Sequence, residues 1–435
     1  MRTHVLCGLT VMVALGSTSA DEIATGPAER IVQSIDDVGL RSVLEEVLVR
    51  NPEIAGLSNR VSAAGHRTTS IRKLPDPRAE VTAFVLPPET RVGPQRFAAR
   101  ISQQIPGGGK RAISEKTADL DRRALAAELQ ALRLAKVSET RRLVAEIGYI
   151  DEARRVLTDD RATLAHFEEL ARARYASGSG LQMDAIQIQT EMTRLEARLA
   201  ELVERRAGLA AEVNRLRDSP GAVVVDGPAP PVRSTVFDWD DLRALALASR
   251  PELAADDARI QGSLAATELA TKASSPDFSI GLTYAYVDRR TDVDVPNNGQ
   301  DVLGISGGIS IPIWKTGTAA GVEASTQTRL AIEAARRTTV AGIEREIESL
   351  KRRIPEIQRR LALLEDVLPI QSRQALSSAV SAYAAGRVDA LALLDAERVL
   401  LDVRLSAAHG RTDLALALID LEGAIAAPLP TGDRS

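Results

Sequence analysis

Cysteine is all but missing: the one copy, Cys7, sits inside an N-terminal leader. The rest of the chain therefore has no disulfide framework and no thiolate for catalysis or metal binding. Cys7 follows Leu6, where a lipoprotein leader would carry a small residue, so lipid anchoring is not expected. Histidine is nearly as scarce. Beyond the leader only His66, His166 and His409 occur, far apart, which leaves no zinc or copper site of ordinary spacing. Met183 and Met192 are too few for a copper relay and suit gap-filling. No stretch approaches the ~20 apolar residues of a membrane-crossing helix. There is no excess of charge either: a net charge of -4 gives no electrostatic reason to expect nucleic acid. No Ser-His-Asp or paired-carboxylate arrangement stands out, so neither an enzyme nor a cofactor is expected.

The leader itself reads clearly. Arg2 and His4 precede an apolar stretch from Val5 to Leu15 and then Thr18-Ser19-Ala20, a secretory signal over residues 1–20 cut before Asp21. Hydrophobic residues make up 44% of the chain but aromatics only 3%, and Ala, Leu, Val and Ile dominate. Ala and Leu mixed with Arg and Glu are the composition of long packed helices. Asp and Glu dispersed among Arg along these segments predict solvated faces with i,i+4 pairs.

The sequence is duplicated. Residues 40–73 and 239–273 each read as a helix carrying Asn51-Pro52-Glu53 or Arg250-Pro251-Glu252, and each breaks at Pro-Asp, Pro75-Asp76 and Pro276-Asp277. The period then switches to two, the strand signal. Strands are predicted over about 79–86 and 96–105 in the first half, and about 278–288 and 303–312 in the second. Ile105-Pro106 and Ile311-Pro312 end the second strand of each pair, and a glycine and a lysine precede a long helix. These helices, about 110–177 and 316–385, approach about 100 Å each. Pro355 and Pro369 are candidate kinks in the second. Both end at a Tyr-x-x-Gly phrase, Tyr175 to Gly178 and Tyr383 to Gly386, where glycine supplies the turn. Return helices follow over about 181–217 and 388–426.

The organisation is thus an N-terminal extension (21–39), a first repeat (40–218), a Pro- and Gly-rich linker (219–236), a second repeat (237–426) and a tail (427–435). In each half, the helix before the hairpin and the return helix together match the long helix beside them, which implies a uniform rod. Strands of nine or ten alternating residues have the length of tilted membrane strands. Six of the chain's twelve aromatics, Phe84, Phe97, Phe278, Tyr284, Tyr286 and Trp314, gather around them. Four strands cannot close a barrel, and open edges are not tolerated in lipid, so a membrane role requires several chains to pool their strands. An ordinary soluble sheet packed on a helix is the competing reading of the same alternation.

With the repeated strand pairs, the two Pro-Glu helices, the Tyr-x-x-Gly turns and Leu394-Asp395-Ala396 in this order, the chain resembles the TolC family of outer-membrane factors from about Leu40 to Leu421. Ser102 to Arg111, Ser-Gln-Gln-Ile-Pro-Gly-Gly-Gly-Lys-Arg, is similar to the heavy-metal-efflux branch of CzcC and CusC. The resemblance implies a mainly α fold with membrane β. It further implies a homotrimer whose twelve-stranded β-barrel continues into an α-helical barrel of long antiparallel coiled-coil helices.

The resemblance also places the protein in the outer membrane of a Gram-negative bacterium, in contact with its lipid, with a long periplasmic portion. Its implied partners are a periplasmic adaptor and an inner-membrane pump, commonly of the resistance-nodulation-division class. The implied function is a passive exit duct, with heavy-metal cations as one cargo and drug efflux or type I protein secretion as the alternatives. A periplasmic adaptor or structural rod would be the reading of another class, but an adaptor normally has one helical hairpin flanked by small β domains. The resemblance makes the helix turns the periplasmic aperture and adaptor-docking end: Tyr175, Gly178, Asp184, Tyr383, Gly386, Arg387 and Asp389. Asp184 falls where the family often has a tip aspartate, while its second-repeat counterpart is Ala392, with Arg387 and Asp389 nearby as substitutes. Gly107-Gly-Gly-Lys110 is not a phosphate loop, because Gln104 and Arg111 replace its first glycine and its Ser or Thr.

Overall fold

The computed structural model describes residues 26–219, 237–292 and 295–429, so the leader and nearly all of the 219–236 linker lie outside the described residues. Helices α1 (Pro27–Gln33), α2 (Val38–Arg50) and α3 (Pro52–Ile71) precede strands β1 (Arg78–Ala83), β2 (Glu89–Thr90) and β3 (Gly93–Ile105). Helices α4 (Lys110–Ala176) and α5 (Gln182–Leu216) complete the first half. The second half runs α6 (Trp239–Ser249), α7 (Pro251–Lys272), β4 (Asp277–Val287), β5 (Val302–Ser310), α8 (Lys315–Ala362), α9 (Leu368–Ala384) and α10 (Ala390–Ile425). Among the described residues no helix is long and apolar enough to cross a membrane.

The single helices expected over 40–73 and 239–273 are each two helices, broken at Asn51 and at Arg250. Proline disfavours the α conformation at the residue before it, and Asn51 (ψ 124°) and Arg250 (ψ 121°) are both extended. Asn51 is 1% exposed and uses all its polar atoms. Its Oδ1 accepts from the backbone of Glu53 (3.0 Å) and Ile54 (3.2 Å), capping α3, and its Nδ2 donates to the Leu216 carbonyl (2.9 Å) at the end of α5. Arg250 does the equivalent work on the end of α10, donating to the Gly423 carbonyl (2.9 Å), while Ser249 donates to that of Ile425 (2.6 Å).

Each Pro-Glu phrase is therefore the joint where a short helix meets the end of its return helix. The stacked pairs are α3 with α5 (20 and 35 residues) and α7 with α10 (22 and 36). At 1.5 Å per residue these stacks measure about 83 and 87 Å beside α4. The 67-residue α4 is about 100 Å long, so the stacks fall short of it where a match was expected: α2 and α6 do not lengthen the rod but, with α1, pack against its side on cores that include Leu44, Leu134, Val137, Leu242 and Leu253.

The second long helix also differs from the uninterrupted 316–385 expectation. A π turn, Leu363–Val367, separates α8 from α9 just before Pro369. The proline ring would collide with the carbonyl four residues earlier, and widening the preceding turn relieves it. Pro355, by contrast, lies within α8 without interrupting it.

The sheet is an antiparallel meander in the order β1-β3-β4-β5, with β2 pairing only the start of β3. Its register sorts the side chains. Val81, Phe97, Ile101, Leu282, Tyr284 and Ile305 fall on one face; Glu80, Arg100, Ser102, Gly281, Thr283 and Ser306 fall on the other. Among the described residues nothing packs on the apolar face: Val81 is 74% exposed and Ile305 81%. A soluble sheet packed on a helix would cover that face, and none of the described helices does. Both β1 and β5 are edges with an unpaired side.

Candidate functional site

At the end of the rod opposite the sheet, α4 and α9 terminate in identical motifs. In the first turn, Ser179 N donates to Arg174 O (2.9 Å) and Gly178 N to Tyr175 O (3.0 Å). In the second, Arg387 N donates to Ala382 O (2.9 Å) and Gly386 N to Tyr383 O (2.9 Å). This is the Schellman pattern, which needs a left-handed residue after the helix. Gly178 and Gly386 fill that place, both at φ 72°. The Tyr-x-x-Gly phrase is thereby explained: the glycine makes the turn, and the tyrosine always falls one residue before the last helical position.

The two tyrosines part company there. Tyr175 is 53% exposed, whereas Tyr383 is fully buried and its hydroxyl donates to Asp184 Oδ2 (3.0 Å). Asp184 lies in the first turn of α5 and is itself 7% exposed, so it is a bonded partner inside the turn rather than a free charge. Burial, reinforced by the Asp184 carboxylate, pushes the Tyr383 hydroxyl up to about 12, against the pull of Arg174, so it stays a donor throughout the physiological range.

Arg174, which sequence reasoning passed over, clamps the two turns together. It donates to Tyr383 O (2.8 Å) and Ser179 O (2.8 Å), and its guanidinium lies over the Tyr383 ring, 4.5 Å from the centroid. The only signal for it was a basic residue in the last turn of a helix, where spare carbonyls collect. Asp389 caps α10 by accepting from Ala392 N (3.0 Å), and Arg387 is exposed beside it. Of the seven residues singled out in the sequence, the structure thus joins Asp184 and Tyr383 directly, uses the two glycines and Asp389 to build the turns, and leaves Tyr175 and Arg387 on the surface. An open cleft between the turns is lined by Arg174, Gly178, Leu181, Asp184, Arg387 and Asp389.

Two further expectations concern the helices. Gly107 to Lys110 is a strand-to-helix joint: Gly107 N and Lys110 Nζ both donate to Asp277 Oδ1 (2.9 Å each), and Lys110 Nζ also to Ser275 O (2.8 Å). A Cβ at Gly107 would lie 1.9 Å from the Pro276 carbonyl oxygen, so the glycine lets the two repeats cross closely. The acidic residues are not all on solvated faces. Asp160, Glu191 and Glu397 are 5%, 9% and 1% exposed.

Residues 242–427 match a family model described as outer membrane efflux protein. Several solved structures share the fold. The outer-membrane channel OprN superposes with a TM-score of 0.77 at 18% identity, covering 90% of each chain. VceC, an outer membrane protein of Vibrio cholerae, gives 0.75 at 18% identity, covering 93% of this chain and all (100%) of its own. CusC, described by its transmembrane channel formation, gives 0.73 at 14%, covering 92% of this chain and 97% of its own. Among curated proteins none matches in sequence. The fold is therefore that of the TolC-like outer-membrane channels.

Proposed function

We propose that the protein is an outer-membrane exit duct, in which three copies pool their strands into a twelve-stranded barrel and their helices into a periplasmic tunnel. The observation that carries this reading is the sheet: apolar and bare on one face, polar or small on the other, and open at both edges. Water would not tolerate that apolar face, and lipid would not tolerate those edges unless further copies pair them. The aromatics agree. Phe97, Tyr284 and Tyr286 cluster at the end of the apolar face far from the helices, with Phe97 and Tyr286 stacked at 5.4 Å, and Phe278 and the 80%-exposed Trp314 mark the other end. Phe278 to Tyr286 spans about 27 Å along the strand, the height of an outer-membrane barrel between its two aromatic girdles.

The turn end would be the narrow periplasmic aperture, where an adaptor docks and passes cargo from an inner-membrane pump, commonly of the resistance-nodulation-division class. In this reading the Tyr383–Asp184 bond and the Arg174 clamp hold the two hairpin tips together and set the width of the opening. Passage is passive, with energy supplied by the pump. The similarity of Ser102 to Arg111 to the heavy-metal branch supports metal cations as cargo. In this reading such cations pass along the duct without being held. The test is electrical: the protein reconstituted into a planar bilayer should give discrete conductance steps, and a preparation that inserts without conducting would refute the duct. For the cargo, a deletion strain challenged with metal ions, drugs and detergents should be sensitised to metals. Sensitivity to drugs alone would remove the metal assignment.

A further inference from the structure

Two core positions that join the helical hairpins are occupied by acids. Asp160 on α4 lies between Leu157 and Leu164, and Glu397 on α10 lies between Leu393, Leu394 and Leu401, all of them buried in one apolar cluster that also holds Ile188, Leu195 and Tyr383. The spacing of three and four residues puts each acid on the face where a leucine is expected. A third acid, Glu191 on α5, is provided for: it accepts from Arg398 (2.6 Å) and Arg194 (3.2 Å). The other two are not. Both oxygens of Glu397 and Oδ2 of Asp160 receive no N–H or hydroxyl proton from any side chain or backbone group around them.

We infer that Asp160 and Glu397 share one proton and form a clasp between the first hairpin and the second, tight in acid and loosened as the medium turns alkaline. The two carboxyl groups face each other within hydrogen-bonding reach. Two ionised carboxylates have nothing to donate, so the contact is a bond only if one keeps its proton. The surroundings favour that. The Arg398 and Arg194 side chains are engaged by Glu191, Arg404 on α10 acts on Asp160 only through its charge, and α9 presents Leu376, Ala379 and Val380 to this cluster. Both acids are already sealed off in the single protomer, and association with other copies can only deepen that.

Burial and the neighbouring Asp160 raise Glu397 from 4.5 to about 9, and burial raises Asp160 as well. Between those two values the folded chain keeps a proton that the unfolded chain releases. The stability contributed by the clasp is complete below the lower value and declines as pH climbs toward the upper one, by up to about tenfold in the unfolding equilibrium per pH unit. Glu397 stands eight residues beyond the Asp389 cap, about 12 Å along α10 from the turn, so the loosening would be felt at the hairpin tips. This holds whether or not the protein conducts.

The experiment follows the thermal unfolding midpoint of the full-length protein in mild detergent from pH 5 to 9.5, for the wild type and for Glu397→Gln. The wild type should lose stability relative to the variant as pH rises, the variant becoming the more stable above neutrality. Infrared spectra near pH 7 should show a protonated carboxylic acid band that Glu397→Gln lacks. Parallel pH profiles, or no such band in the wild type, would overturn the clasp. Should Glu397→Gln fail to fold, Asp160→Asn serves in its place: it gives Glu397 an amide donor, so the pH slope should flatten and the band should vanish. A slope and band unchanged in Asp160→Asn would equally overturn it.

Discussion

Tyr383 and Asp184, 199 residues apart in sequence, are joined by a hydrogen bond from the tyrosine hydroxyl that links the two turns directly. Tyr383→Phe removes that donor and leaves a buried carboxylate short of a partner, at a cost of about 1–3 kcal/mol. In a reconstituted pore the same change is expected to raise open probability or conductance, and identical single-channel records for the two proteins would remove the bond from gating. Asp184→Ala should alter conductance or cation selectivity, checked by reversal potentials in a salt gradient. Some of this was legible in the sequence. Tyr175, Gly178, Tyr383 and Gly386 announced themselves by repetition, and Asp184 by its place in the resemblance. Arg174, Asp160 and Glu397 did not, because an arginine or an acid on an Arg- and Glu-rich helix looks like any solvated charge until the neighbouring helices are in place.

Among the elements, the clearest lesson is at Asn51 and Arg250. The Pro-Glu phrase was visible twice, and the bias of a residue before proline away from the α region was already a reason to break the helix there. The helical apolar spacing on both sides masked it, since two successive apolar patterns of the same period read as one helix. The same joint makes a prediction: Asn51→Ala loses the α3 cap and strands the Leu216 carbonyl, which should destabilise the rod by about 1–3 kcal/mol, measured by thermal or denaturant unfolding. The turns make another. A Cβ at Gly386 meets only the end of the Arg174 side chain, at 3.3 Å, so Gly386→Ala should cost chiefly the left-handed backbone, about 1–2 kcal/mol. A much larger loss would mean that the turn is packed against something else in the assembly. The π turn before Pro369 was legible only as a kink, because the proline signals a disturbance and the packing around it decides its form.

For the whole molecule, the alternation of the strands was the most dependable sequence signal, since a period of two sorts residues between faces without knowledge of any partner. Its consequence appears only when the register is known: the six-residue β1 and the nine-residue β5 lie at opposite edges, each with a row of backbone groups turned outward. None of the described residues covers them, and the bare apolar face runs from one edge to the other. The account therefore stands or falls on whether copies of the chain join edge to edge. The decisive measurement is the mass of the protein in mild detergent, by light scattering with the bound detergent subtracted. Three protomers are predicted, and a protein that remains monomeric at concentrations where its fold is intact would contradict the shared barrel.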